Sequence, residues 1–281
     1  MTIHHDLTHA EYDGLPGWRW SHIKLLADGS PRAVQHALTA EDADTPSRVW
    51  FRAVHAAVLE PHRFDSMFVA YEGRRDKRTE AYRAFLEEHD GKSILTPGDI
   101  DSARATADAI RSHPVVRDLL AEGSPEVSVT WDDPLTGLPC KGRLDWLGRA
   151  GIVDLKTCGT VHERAVASLA ARNLWHGQLA HYAAGIEANT GARLPCFVIA
   201  AEGKGAQDVA VYQLDRGIPD GALHVGAGVR SELLRKLKTC VDLNHWPGRH
   251  EGCVPLDLPS YAIPDVSGDI TFGDNADEEG A

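Results

Sequence analysis

The stretch CKGRLDWLGRAGIVDLKTC, residues 140–158, has the pattern of two short strands joined by a glycine-flanked turn at residues 148–151. Symmetric antiparallel pairing across that turn sets Leu147 opposite Ile152 and Asp145 opposite Asp154, with Lys156 on the same face as Asp154. Directly opposed residues have Cβ atoms about 4.5–5.5 Å apart, where like charges are destabilising. That spacing suits a divalent cation held between two carboxylates, because hard cations favour oxygen ligands.

A simpler interpretation of the same pattern is a solvated hairpin face with alternating charges. A lone D-x-K triplet is weak evidence, since charged residues make up about a quarter of an average chain. The sequence holds a second triplet of this kind, Glu202-Gly203-Lys204. It lies in a predicted turn and has no partner carboxylate upstream, so we interpret it as coincidental.

Composition narrows the functional classes. The 281 residues are 43% apolar and 25% charged, the five cysteines form no C-x-x-C pair, and no apolar run is long enough for a membrane helix. We therefore expect a cytoplasmic protein without disulfides or structural zinc. The net charge of −12 argues against a nucleic-acid partner. The net charge is not decisive, because metal-dependent nucleases have acidic sites. In addition, the acidic run 273–281 contributes part of the negative charge.

Periodicity predicts helices, then a β-meander, a long helix, two strands and a final helix, which is an α/β or α+β layered domain. Ser21 has the pattern of an N-cap for a short helix to residue 27, and we expect Lys24 on a solvated face. We divide the chain into a mostly helical part at 1–123, a core at 124–258 and an acidic, disordered tail at 259–281. The predicted helices span 46–59, 76–90, 98–121, 162–189 and 222–242, and the predicted strands outside the opening stretch span 126–131, 194–201 and 208–214.

Several segments together resemble one family. GRLDWL, the glycine turn and GIVDLKT are similar to the core of the PD-(D/E)XK nuclease superfamily, with Asp154-Leu155-Lys156 as the triplet. Gln178 and Tyr182, four residues apart on one helix face, resemble the Q-x-x-x-Y motif of RecB-like and lambda-exonuclease-like nucleases. The segment FRAVHAAVLEP, residues 51–61, resembles the early helix of RecE-type exonucleases, and residues 240–259 resemble their closing segment.

The resemblance implies a restriction-endonuclease-like core, in which a mixed central sheet is flanked by helices. It also implies a set of metal ligands. Asp145 and Asp154 would hold Mg²⁺, for which Mn²⁺ can substitute, assisted by the backbone carbonyl of Leu155. His55, the histidine of the early helix, would be a further ligand. Glu126 would bind a second metal or a metal-bound water.

For the chemistry, the resemblance implies that Lys156 positions and activates the attacking water and offsets charge in the transition state. Gln178 and Tyr182 would contact the scissile strand or orient the lysine. An iron–sulfur variant is disfavoured, because only Cys240 and Cys253 lie near the C-terminal end.

The function implied is an exodeoxyribonuclease of phage or prophage type. It would degrade linear double-stranded DNA 5′→3′ with a single-strand annealing protein as partner, and such relatives form homo-oligomeric rings. Two alternatives stay open. One is a RecB-like endonuclease or single-strand nuclease in defence or repair, and the other is a non-catalytic module that binds DNA ends.

Overall fold

The computed structural model describes residues 1–40, 44–214 and 220–259. Within these ranges eight strands form a six-stranded sheet and a separate two-stranded sheet. The strands are β1 (Thr2–His4), β2 (Phe68–Ala70), β3 (Ser93–Leu95), β4 (Gly123–Asp132), β5 (Pro139–Gly148), β6 (Gly151–Cys158), β7 (Cys196–Glu202) and β8 (Val209–Leu214).

The large sheet has the order β1-β4-β5-β6-β7-β8, and β2 and β3 form the small parallel sheet. Within the large sheet β6 and β7 run parallel, whereas the other neighbours are antiparallel. A parallel pair needs a crossover connection, and here residues 159–195 supply it. The predicted mixed sheet is therefore confirmed.

Helices surround this sheet, and a 3₁₀ turn, Pro61–Arg63, follows the fifth of the helices in the described ranges. They are α1 (His9–Gly14), α2 (Trp20–Ile23), α3 (Leu25–Asp28), α4 (Pro31–Thr39), α5 (Pro46–Leu59), α6 (Phe64–Met67), α7 (Glu80–Glu88), α8 (Pro97–Ser112), α9 (Pro114–Leu119), α10 (Glu163–Asn173), α11 (Trp175–Thr190) and α12 (Ala222–Leu243).

Two hydrophobic cores lie on opposite faces of the large sheet. Helices α11 and α12 pack on one face, where Leu179 and Leu234 are fully buried. Helices α5 and α8 pack on the other face, over Leu155 and Ile199. Fully burying a side chain of this size contributes about 1.5–3 kcal/mol. The two layers of helices therefore fix the central strands from both sides.

Three predicted helices differ in the structure. The predicted helix 98–121 is two helices, because Pro114 disfavours a helical conformation at His113, which is extended. The predicted helix 162–189 breaks at Leu174, which has φ 55° and caps α10. Ser21 is not an N-cap, since α2 already begins at Trp20. Local periodicity does not reveal such breaks, because it records which side chains are apolar and not the backbone conformation of a single residue.

The predicted hairpin register is confirmed at Leu147–Ile152 and at the turn, where Gly151 has φ 147°. A Cβ at Gly151 would lie 2.3 Å from the Pro195 carbonyl oxygen, so only glycine fits this turn. The ladder between β5 and β6, however, ends at Trp146–Val153. Direct pairing of Asp145 with Asp154 was thus wrong, because β5 and β6 stop pairing one position earlier.

The tail predicted to be disordered lies outside the described residues from position 260 onward. In the ranges that are described, no helix is long and apolar enough to cross a membrane.

Candidate active site

Strand β4 contains one residue of the candidate site, Glu126, whose backbone conformation is strained. Glu126 adopts φ 51°, although the β4–β5 register is kept on both sides, at Pro125–Trp146 and Val127–Leu144. Leu144 belongs to one hydrophobic core and Trp146 to the other, so the side chains of β5 change faces here. A non-glycine residue in this region costs on the order of 1–3 kcal/mol, and such strain is concentrated at functional sites.

The bend brings two carboxylates together with a histidine of α5. One ligand atom each of His55, Glu126 and Asp145 lies within 4.8 Å of the others. The His55 Nδ1 atom is 3.7 Å from Asp145 Oδ2, and all three side chains are partly exposed. Arg143 Nε donates a hydrogen bond of 2.5 Å to Glu126 Oε2 and thereby compensates its charge.

Asp154 lies beside this cluster and is fully buried. Its Oδ2 atom is 2.6 Å from the ammonium nitrogen of Lys156, whereas Oδ1 has no hydrogen-bond partner among the residues that the structure describes. Lys156 also lies over the ring of Trp175, 5.9 Å from its centroid. The structure therefore brings Lys156 to Asp154 and leaves Asp154 outside the three-residue cluster.

Burial and neighbouring charge shift the ionisation of this pair. Burial raises the pKa of Asp154; the Lys156 ammonium opposes this shift, and the nearby Asp145 carboxylate adds to it. For Lys156, burial alone would lower the pKa, but the Asp154 and Asp145 carboxylates outweigh it and the pKa is raised. Lys156 is thus held in its charged form.

The backbone of the Asp154-Leu155-Lys156 triplet is also hydrogen-bonded to a member of the acidic cluster, Asp145. Leu155 NH donates a hydrogen bond of 2.8 Å to Asp145 Oδ2. The backbone group of Leu155 that contacts Asp145 is thus its NH, and a ligand role for its carbonyl stays a prediction.

Gln178 and Tyr182 lie together on α11, as the four-residue spacing predicts. Gln178 Nε2 donates a hydrogen bond of 2.9 Å to the Tyr182 hydroxyl, and both residues line a cavity of about 800 Å³. Burial raises the pKa of Tyr182 well above its ordinary value, so its hydroxyl stays protonated. Gly142 lets the ring approach β5, because a Cβ there would lie 2.9 Å from it.

The cavity beside Gln178 is rich in cationic side chains although the chain is acidic overall, and four of them are ion-paired: Arg19 with Asp13, Arg52 with Asp44, Arg63 with Glu60 and Arg143 with Glu126. It is lined by five cationic side chains but by a single carboxylate, that of Asp13. A smaller cavity of about 280 Å³ contains the acidic cluster and shares His9, Arg52 and Arg143 with the large one. The two form one cleft, whose cationic lining residues are Arg19, Lys24, Arg52, Arg63 and Arg143.

Sequence reasoning missed these basic residues. Lys24 was expected on a solvated face, but it lines the cleft with Ser21. Burial lowers the pKa of Lys24, and the charge of Lys156 lowers it further, so the two ammonium groups lie close enough to interact. A single sequence carries no signal for this proximity, because 131 positions separate the two lysines.

The cluster suits a hard divalent cation. Carboxylate oxygens and one imidazole form a donor set that Mg²⁺ and Mn²⁺ accept, and no thiolate is present in the group. Among the described residues Asp154 Oδ1 has no hydrogen-bond partner, and it is a further oxygen donor beside the cluster. His55, Glu126 and Asp145 are the residues that would hold the cation.

The topology and the D-x-K strand define the PD-(D/E)XK fold. A family model described as a PDDEXK-like domain of unknown function (DUF3799) matches residues 20–258, and the chain belongs to this family. The predicted PD-(D/E)XK membership is therefore confirmed. No sequence among curated proteins matches the chain at a significant level.

A solved structure shares the fold. The crystal structure of a "Putative exonuclease" from Eubacterium rectale is similar with a TM-score of 0.63 and 15% identity, covering 91% of this chain and 97% of that one. The crystal structure of SSO0001 aligns with a TM-score of 0.31 and 13% identity over 72% of this chain and 81% of that one, too weak a likeness to carry an argument.

Proposed function

We propose that this protein is a divalent-metal-dependent deoxyribonuclease that degrades linear double-stranded DNA from its ends. The observation that carries the proposal is the acidic cluster of His55, Glu126 and Asp145 at the end of a cleft with five cationic side chains. Phosphate backbones bind to clustered Lys and Arg, so the cationic lining of the cleft offers contacts to DNA although the chain is acidic overall. The "Putative exonuclease" with the same fold supports this choice of activity.

Each residue has a role in the proposed reaction. His55, Glu126 and Asp145 would hold Mg²⁺ or Mn²⁺, with Asp154 as a further ligand, and the chemistry supplied there would be Lewis-acid polarisation of the scissile phosphate. The Lys156 ammonium, which is held charged by Asp154, positions the attacking water and offsets developing negative charge on the phosphate oxygens.

Gln178 and Tyr182 line the cleft next to this centre and present an amide and a protonated hydroxyl. Both groups can donate hydrogen bonds to phosphate oxygens of the bound strand and hold it in register. Lys24 and Arg63 contact phosphates further along the cleft. Their contribution is binding rather than chemistry.

The biological setting follows the family resemblance. We infer 5′→3′ degradation in the cytoplasm of a bacterial host, in phage-type recombination with a single-strand annealing protein, by a homo-oligomer that encircles DNA. The boundaries at residues 123 and 258 are likewise proposed for the nuclease core.

One assay tests the activity. The purified protein is incubated with linear, nicked and closed circular DNA, with Mg²⁺ and with EDTA, beside a Lys156→Ala variant. Lys236→Ala is the matched control, because Lys236 is an exposed residue of α12 paired with Glu232. We expect Mg²⁺-dependent loss of linear DNA only. Cutting of circles would favour an endonuclease, and binding without any cutting would contradict the proposed activity.

A further inference from the structure

One face of α5 runs from the acidic cluster to a second cavity. Ser47, Phe51 and His55 are spaced four residues apart, so they lie along the same helix face. His55 and Phe51 line the small cavity of the cluster. Phe51 and Ser47 line a separate cavity of about 570 Å³ next to residues 157–159 and 203–204. Successive positions on this face are about 6 Å apart along the helix axis.

Aromatic rings form the wall of this second cavity. The Trp50 and Phe51 rings meet edge to face, with centroids 5.5 Å apart and an interplanar angle of 65°. Trp50 packs against Gly203, where an added Cβ would lie 2.7 Å from the ring. Phe51 is 40% exposed, at the border of both cavities. The structure therefore has one aromatic ring fixed by packing and another available to a ligand.

The polar groups around the rings fit a nucleotide. Lys204, from the triplet that the sequence analysis set aside, lines the cavity and is exposed. Asp99 also lines it, but its carboxylate is occupied. Asp99 Oδ2 accepts hydrogen bonds from Thr96, at 3.2 Å from the backbone nitrogen and 2.7 Å from the hydroxyl, and lies 3.7 Å from an Arg75 nitrogen.

We propose that this aromatic cavity receives an unpaired nucleobase of the strand that is cut. The base belongs to the nucleotide next to the scissile phosphate and stacks on Phe51, while Lys204 contacts the adjoining phosphate. The inference rests on the proposed function, because the metal cluster fixes where the phosphate lies. Every base has a π-face, so stacking on an aromatic ring tolerates any sequence. A base within a duplex stack cannot enter, so the strand must be locally unpaired here.

The experiment compares DNA whose nucleotide at the first or the second position from the end is either normal or abasic. Single-stranded oligonucleotides and duplexes with frayed ends are cut by wild type and by Phe51→Ala. Stacking on one aromatic ring corresponds to a factor of about 5 to 150, so wild type should cut the normal strand faster than the abasic strand by that factor. Phe51→Ala should cut both at the same rate, and Phe51→Tyr should restore the difference.

Leu135→Ala is the control, because Leu135 is 67% exposed and lines neither cavity. It should keep the wild-type preference for a base. Binding of the same oligonucleotides in Ca²⁺ gives a readout independent of cleavage, and Phe51→Ala should weaken it only when the base is present.

Cleavage by wild type without any preference at either position would overturn the inference and leave the nuclease intact. Equal losses for Phe51→Ala on normal and abasic strands would also overturn it. Absence of cleavage by wild type in both Mg²⁺ and Mn²⁺ would instead contradict the proposed function, and the base-binding role with it.

Discussion

Asp145 and Leu155 are joined by a hydrogen bond of 2.8 Å from the Leu155 backbone nitrogen to Asp145 Oδ2. The contact replaces the strand pairing that ends at Trp146–Val153. It ties a carboxylate of the acidic cluster to the backbone of the Asp154-Leu155-Lys156 triplet. The Asp145 side chain is therefore held against the backbone of the strand that carries Lys156.

The first prediction concerns metal binding. A cation that occupies the cluster should raise the melting temperature, because it neutralises Glu126 and Asp145 in the folded state only. At a concentration of 100 times Kd the gain is about 2.7 kcal/mol. Glu126→Gln and Asp145→Asn should lose the Mg²⁺-induced shift in thermal melts. Asp118→Asn, an exposed carboxylate on α9, should keep it, and equal shifts in all four proteins would place the binding site elsewhere.

The second prediction separates chemistry from metal binding. Lys156→Ala should lower the cleavage rate by about 10²–10³, which is typical for the loss of one electrostatic contact to the transition state. An ammonium cannot ligate a cation, so the Mg²⁺-induced thermal shift should survive. The paired measurement is cleavage in Mg²⁺ beside metal titration by calorimetry. A variant that cuts DNA at the wild-type rate would show that the D-x-K triplet is not catalytic.

The hairpin and α5 show what a single sequence can predict. The register of β5 and β6 follows from the glycine turn and from period-two alternation, both of which are local. Helix α5 has the predicted bounds because Thr45 caps its first turn and Pro61 follows its end. The local sequence alone therefore places His55 on a helix and Asp145 and Lys156 on neighbouring strands.

The cleft could not be predicted in this way. The N-terminal segment forms part of the lining of the cleft. Lys141 of β5 holds this segment against the sheet by hydrogen bonds. The Lys141 ammonium donates to the backbone carbonyls of Tyr12, Asp13 and Leu15, at 3.1, 2.9 and 2.7 Å. These partners are more than 120 positions away, and a buried lysine bound by carbonyls has no periodic signature. The sequence does not predict the strained backbone of Glu126 either, because that conformation depends on packing on both faces of the sheet.

The third prediction concerns the basic cleft. Each phosphate contact that is lost should reduce the slope of log K against log salt by about 0.9 on duplex DNA. Lys24→Ala and Arg63→Ala should each weaken DNA binding in Ca²⁺ and flatten this slope. Arg78→Ala is the control, since Arg78 is exposed and is ion-paired, as Arg63 is with Glu60, but lies outside both cavities. Unchanged slopes in the two cleft variants would show that DNA binds elsewhere.

A buried histidine next to the sheet gives the fourth prediction. His181 Nε2 lies 3.1 Å from the Lys141 carbonyl oxygen, so Nε2 carries the proton. Its Nδ1 accepts from Arg230 Nε at 3.4 Å, and the same guanidinium donates to Asp133 at 2.6 Å. A second proton on Nδ1 would face the Arg230 charge in a dry environment. Burial, reinforced by Arg230, therefore lowers the pKa of His181 to about 3.

Acid should consequently destabilise the fold through His181. An unfolded histidine has a pKa of about 6.5, so between that pH and about 3 the unfolded chain binds a proton that the folded chain does not. As the pH is lowered across this window, the free energy of unfolding must fall by about 1.4 kcal/mol per pH unit. Between pH 6.5 and 5 the loss is about 2 kcal/mol. Denaturant melts of His181→Asn should show lower stability at pH 7 but a shallower loss on acidification. The exposed His62→Asn should keep the wild-type pH profile. If His181→Asn loses stability as steeply as wild type, protonation of His181 does not drive the acid loss.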